Sequence, residues 1–256
     1  MGLIGSTTPR RMVVIYRWLF KKNVVVRTLS EIDANLLAIK FNIPVSHIPF
    51  GVDISFWLPA ETRLPSVNDN FVLSIGNDSH RDYQTLLAAW KPEYPMLRIV
   101  TSQNIITTAL NIEVIRGNWY KQVITDVHIR TLMQSARFVI LPIKTTNQPS
   151  GQSACLQAMA CGKSVIITDF LGLWNRELLL DGKTCIIAGP PGDRTGIQIA
   201  VQRLLSDPAL AFSIGTNARK VMESDLNVNQ MAKTIAADLD KLMDGSFSSR
   251  TSPLSS

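Results

Sequence analysis

Residues 150–169, SGQSACLQAMACGKSVIITD, place a glycine, two carboxamides and hydroxyls at the start of a short helical pattern and follow it at once with a buried strand. A helix start offers free backbone N–H groups and the positive end of the helix dipole, which together attract an anion. Gly151 lets the backbone approach such a ligand closely, Gln152 begins the helix, and Ser153 can donate from its hydroxyl. One turn later Gln157 shares the face of Ser153 and offers an amide donor and acceptor to whatever the phosphate carries. A phosphate or diphosphate suits this arrangement. Ala154, Ala158, Ala160 and Gly162 would also let the helix lie tightly on a sheet. Any strand-helix-strand unit wants such residues, so this stretch alone leaves packing and phosphate binding both open.

For that chemistry a strand must end just before the loop KTTNQPSGQS, and residues 137–143 read as one. The runs FVLSIG, LRIVT, IEVI, RFVILPI, SVIIT and TCIIA are short and apolar, and most precede a helical pattern. This spacing predicts an α/β fold, a Rossmann-like parallel sheet with flanking helices, which binds ligands at the C-terminal strand edge. Upstream, NVVVRTL reads as a strand, SEIDANLLAIKFNI as a helix capped by Ser30, and HIPFGVDISFWLP as an extended connector. A polar, proline-containing linker is expected over 59–69, a nucleotide-binding unit over 70–225, a last helix over 226–243 and a disordered Ser-rich tail over 244–256.

Composition excludes several function classes. The chain has 256 residues, 46% apolar and 18% charged, enough for a large core. Of its net charge of +6, residues 1–23 supply five cations (Arg10, Arg11, Arg17, Lys21, Lys22) and no acid. The remainder is nearly neutral, which argues against a nucleic-acid-binding face and points instead to one amphipathic segment. That segment either meets an anionic membrane surface or packs Tyr16, Trp18 and Phe20 against the strand at 24–29. Ile15, Trp18 and Leu19 fall on one side of it. Cys155, Cys161 and Cys185 lack metal-ligand spacing and read as structural thiols of a reducing compartment, so no metal and no cofactor is expected. With neither a membrane-spanning run nor a signal segment in view, the expected location is cytoplasmic, at most peripheral to a membrane.

Five stretches in order, LSEIDANLLAIKFNIPVSHIPFGVDISFW, SIGNDSHRDYQTLLAAW, SARFVILP, SGQSACLQAMACGKSVIITD and PPGDRTGIQIAVQRLLSDPALAFSIGTNAR, resemble the group 1, or family 4, glycosyltransferases over about residues 12–243. The resemblance implies the two-domain GT-B fold, of which this chain would hold the C-terminal half and, in residues 1–58, a remnant of the N-terminal domain. It implies transfer of a sugar, with retention of configuration, from a nucleotide diphosphate sugar to an acceptor hydroxyl. In the family the first strand of this half ends in Gly-Arg and a Lys follows; here Gly76 is kept, Asn77 replaces the Arg, and Arg81 takes the Lys position. Arg81 would stabilise the departing diphosphate, or else pair with Asp78 or Asp82, with His80 as a supplementary charge.

The family's two glutamates, eight positions apart, fall at Pro149 and Gln157, with Gln152 the substitute near the sugar. Gln157 can still bond the ribose hydroxyls. The change also removes negative charge beside a diphosphate. Two alternatives stay open: a non-catalytic nucleotide-sugar-binding subunit, or a shortened transferase needing a partner for the missing N-terminal domain. A nucleotide-sugar epimerase is a more distant reading.

Overall fold

The computed structural model describes residues 10–20, 24–61, 70–117 and 124–244. Most of the expected linker (62–69) and tail (245–256) lies outside the described residues. A small first unit contains α1 (Arg10–Leu19), β1 (Val26–Thr28), α2 (Glu31–Phe41) and β2 (Val45–His47), its two strands pairing in parallel from Val26↔Val45 to Thr28↔His47. Ser30 caps α2 by accepting from the Asp33 amide at 3.2 Å, and Asn42, left-handed at φ 51°, ends it.

The larger unit runs β3 (Phe71–Ile75), α3 (Tyr83–Ala89), β4 (Met96–Thr101), β5 (Ile112–Arg116), α4 (Asp126–Ser135), β6 (Val139–Leu141), α5 (Gln152–Ala160), β7 (Val165–Ile167), β8 (Ile186–Ile187), α6 (Arg194–Ser206) and α7 (Pro208–Ser224). α8 (Val228–Met243) follows. Six strands form one parallel sheet in the order β5-β4-β3-β6-β7-β8. Because side chains alternate across a strand, Phe71, Leu73 and Ile75 join one apolar layer with α4, α5 and α7, while Val72 joins the other with α3 and α6. The expected strands are present, β4 and β5 extending one residue beyond the runs LRIVT and IEVI and the others shorter than read. The run 137–143 yields only β6, since Pro142 has no amide to continue the ladder and Ile143 bridges instead to Arg81.

The order of the sheet reverses between β3 and β6, so their C-terminal ends flank a crevice. The connector of residues 50–58 runs back across the larger unit and buries Trp57 in its core. A β-carbon on Gly51 would collide with the Asn227 carbonyl, and Val52 exchanges backbone hydrogen bonds with Leu226 and Val228 beside it. All three cysteines are free and buried, and burial pushes the Cys161 and Cys185 thiols up to about 12. They are structural.

α1 departs from the expected packing of Tyr16, Trp18 and Phe20 on the strand. Tyr16 and Phe20, four residues apart, stack on each other and meet Phe41 of α2 edge-on, whereas Trp18 turns outward. The helical period cannot bring residues 16, 18 and 20 to one face.

β1 is tied to the far end of the chain by a bidentate ion pair, Arg27 Nε and Nη2 donating to Asp238 Oδ2 and Oδ1 at 2.7 and 2.6 Å. The Asp238 side chain is only 10% exposed. Hydrogen bonds from Arg27, together with its charge, hold the Asp238 carboxyl below its ordinary value of 3.8. Its contribution to stability is therefore present above pH 3.8 and is lost as pH falls through the lower folded value. Asp238→Ala should cost about 2 kcal/mol in urea unfolding at neutral pH, the range for a charge-assisted hydrogen bond. The difference from the unmutated chain should shrink as pH drops below about 4.

Candidate functional site

β3 delivers its chain to the ligand edge at Gly76, whose carbonyl accepts from Tyr83 Oη at 2.8 Å and from Thr101 Oγ1 at 2.7 Å. Burial pushes the Tyr83 phenol up to about 12, so it stays protonated and donating. Gly76 has φ 154°. After it the chain turns through residues 77–82, which are stitched to the exit of β6 by Asp82 N to Pro142 O at 3.0 Å and Lys144 N to His80 O at 2.8 Å. Asp82 is occupied in capping α3 through the Thr85 amide and hydroxyl.

This stitching aims Arg81 into the crevice between two glycines. A β-carbon built on Gly76 would land on Arg81 Nε, and one on Gly151 would collide with Arg81 Nη1. The guanidinium side chain is 3% exposed. Asp78 Oδ2 lies 3.3 Å from Nε as an ion pair, yet neither Nε nor Nη1 has a hydrogen-bond acceptor. The competing reading of an arginine paired with Asp78 thus holds in part, and pairing with Asp82 does not. Asp78 is itself shared: its Oδ1 accepts from Ser150 Oγ at 2.6 Å and from the His80 amide at 3.1 Å.

Opposite Arg81 stands the start of α5. Gly151, at φ 84°, is its N-cap and supplies no side-chain hydrogen bond. Ser30, Asp82, Thr125, Asp193, Asp207 and Asn227 all cap their helices with side-chain oxygens. The amide dipoles of α5 therefore face the crevice without an acceptor from a capping side chain.

All seven residues singled out in the sequence, Gly76, Asn77, Arg81, Gly151, Gln152, Ser153 and Gln157, line one cavity of about 750 Å³. Two of them also serve a structural purpose. Asn77 Oδ1 accepts from the Ser102 amide at 2.6 Å, which fixes the loop after β4. Gln152 is buried, and its Nε2 donates to Leu29 O at 3.2 Å, joining the first unit to α5. Sequence reasoning missed the far wall, where Thr28, Leu29, Asp33 and Phe50 of the first unit and its connector close the cavity. Burial raises the Asp33 carboxyl above its ordinary value, and among the described residues it joins no ion pair. Ser30 capping α2 was the visible signal for where that wall begins.

A family model described as glycosyl transferases group 1 matches residues 79–207, just over half of the chain. The glycogen synthase of Mycobacterium tuberculosis is 23% identical over 248 residues, covering 92% of this chain and 58% of that protein. Among solved structures, a sucrose-phosphate synthase from Thermosynechococcus elongatus superposes with a TM-score of 0.74 at 20% identity, over 94% of this chain and 63% of that one. Anabaena HepE in complex with UDP and glucose gives 0.69 at 15% identity, over 91% and 67%. The chain thus spans less than two thirds of the glycogen synthase and the sucrose-phosphate synthase.

The two-glycine cradle has a direct consequence. Gly151→Ala should displace the guanidinium and strain a left-handed residue by about 1 kcal/mol. Pyrophosphate affinity measured by calorimetry is expected to fall at least about tenfold through loss of a charge-assisted contact, with only a small change in melting temperature.

Proposed function

The chain belongs to the group 1 glycosyl transferases, and from that premise we propose that its cavity binds the nucleoside diphosphate of a nucleotide-sugar donor. One observation carries the reading. A buried guanidinium with two nitrogens lacking hydrogen-bond acceptors faces an uncapped helix start across two glycines, a pairing of donors that suits an anion. The UDP complex of HepE supports a nucleotide diphosphate as that anion.

In the proposed reaction the bond between the sugar anomeric carbon and the diphosphate oxygen breaks while an acceptor hydroxyl oxygen bonds to the same carbon and gives up its proton to the departing phosphate oxygen, with retention of configuration. Negative charge grows on the departing diphosphate. Arg81 and the start of α5 around Gly151, Gln152 and Ser153 stabilise it. Gln157 bonds the ribose hydroxyls, and Gly76 and Asn77 shape the adjoining loop. Residues 70–225 form the donor-binding unit, and Thr28, Leu29, Asp33 and Phe50 contribute the opposite wall.

The test begins with UDP binding to the unmutated chain by calorimetry. Arg81→Ala should weaken it by about 1.5 to 3 kcal/mol, the range for a hydrogen bond to a charged group, and Arg81→Lys should weaken it less. Unchanged affinity in Arg81→Ala, or no binding of any common nucleotide by the unmutated chain, overturns the proposal. Donor turnover separates a transferase from a non-catalytic binding subunit, which would bind without consuming donor.

Gln157 gives a second measurement. Gln157→Ala should lower UDP affinity by about 1 kcal/mol, the worth of a neutral hydrogen bond, while Gln157→Glu should retain it. If both variants changed only melting temperature, Gln157 would be a packing residue of α5.

A further inference from the structure

The first unit presents a surface that the donor site does not use. Met12, Val13, Tyr16 and Phe20 turn inward from α1, and Tyr16 and Phe20 seat it on Phe41. A surface helix packed in this way ordinarily shows polar residues on its other face. Here Val14, Ile15, Trp18 and Leu19 occupy that face, at 67%, 49%, 60% and 43% exposure. At 100° per residue they fall within an arc of about 140°. Scattered apolar residues are normal on a protein surface, but four contiguous ones on a ten-residue helix form a patch.

Charge identifies the occupant. Arg10 and Arg11 open the helix, Arg17 lies within it and Lys21 and Lys22 follow it in sequence, with no acid among residues 1–23. An aromatic and aliphatic stripe flanked by cations matches an anionic bilayer surface, where tryptophan settles at headgroup depth and long basic side chains reach the phosphates. A second copy of the chain would bring the same run of cations, with no acid among residues 1–23, against itself. We propose that α1 is a membrane-surface helix that docks the protein on anionic lipid through Val14, Ile15, Trp18 and Leu19. Among the described residues no helix is long and apolar enough to cross a membrane. α1 rests on α2, and α2 supplies Asp33 and Leu37 to the cavity wall, so docking holds the cavity close to the lipid.

Co-sedimentation with vesicles tests this, using phosphatidylglycerol mixed with phosphatidylcholine against phosphatidylcholine alone. The chain should sediment with the anionic vesicles at low salt and be released at high salt. Each basic residue near such a surface is worth about fivefold in binding, so Arg10→Gln with Arg11→Gln should weaken it about 25-fold. Trp18→Ala with Ile15→Ala should weaken it at least about tenfold by removing apolar area, and both residues are exposed, so circular dichroism should show an intact fold. No sedimentation, equal binding to both vesicle types, or full binding by the Trp18 and Ile15 variant overturns the proposal. A dimer that depends on Trp18 without vesicle binding assigns the face to a second copy. The donor site stands or falls separately, by calorimetry with UDP.

Discussion

Burial of the Arg81 guanidinium is the constraint around which the ligand edge is arranged. Taking a charged group out of water is costly, and each N–H left without an acceptor adds to that cost. Here the offset from within the protein is partial: Asp78 faces Nε from 3.3 Å, while Nε and Nη1 lack acceptors. Everything nearby makes room for the group. Gly76 and Gly151 have no side chain because one would occupy the guanidinium's place, and Tyr83 and Thr101 anchor the Gly76 carbonyl. A donor set held ready in this way lowers the reorganisation that a bound diphosphate would otherwise require.

The same helix that faces Arg81 is also fixed to the rest of the molecule at both ends. At its start Gln152 donates to Leu29 O of the first unit. At its end Arg219 Nη1 donates to Ala160 O at 2.7 Å and to Trp57 O of the connector at 2.9 Å. α5 thus joins the small unit, the connector and α7. The bidentate pair of Arg27 with Asp238 holds β1 to α8.

The cavity carries a different balance of charge from the one the family resemblance implies. An arginine is replaced by Asn77, and the two glutamate positions hold Pro149 and Gln157. Against that implied pattern the chain has one cation and two carboxylates fewer, so the surroundings of Arg81 are no more acidic. Asp78 and Asp33 remain on the walls, the first engaged by Arg81 and Ser150, the second drawn from α2 and raised by burial.

Much of this was legible in the sequence because it rests on local rules. Alternating apolar runs specify strands, Ser30 marks a helix start, and the small residues from Gly151 to Gly162 specify a helix that lies close to a sheet. The order of the motifs gave the family resemblance, and all seven nominated residues came to one cavity. Other features depend on distant partners, to which periodicity is blind. That Trp18 faces outward while Tyr16 and Phe20 meet Phe41 depends on where α2 lies. That Gln152 reaches Leu29, 123 residues away in sequence, depends on how the first unit folds back over α5. Residue type and spacing determined that a helix starts at the loop after β6 with Gly151, which has no side chain to cap it. The cradle that buries Arg81 between Gly76 and Gly151 was decided by tertiary structure, because only the parallel sheet brings the ends of β3 and β6 side by side.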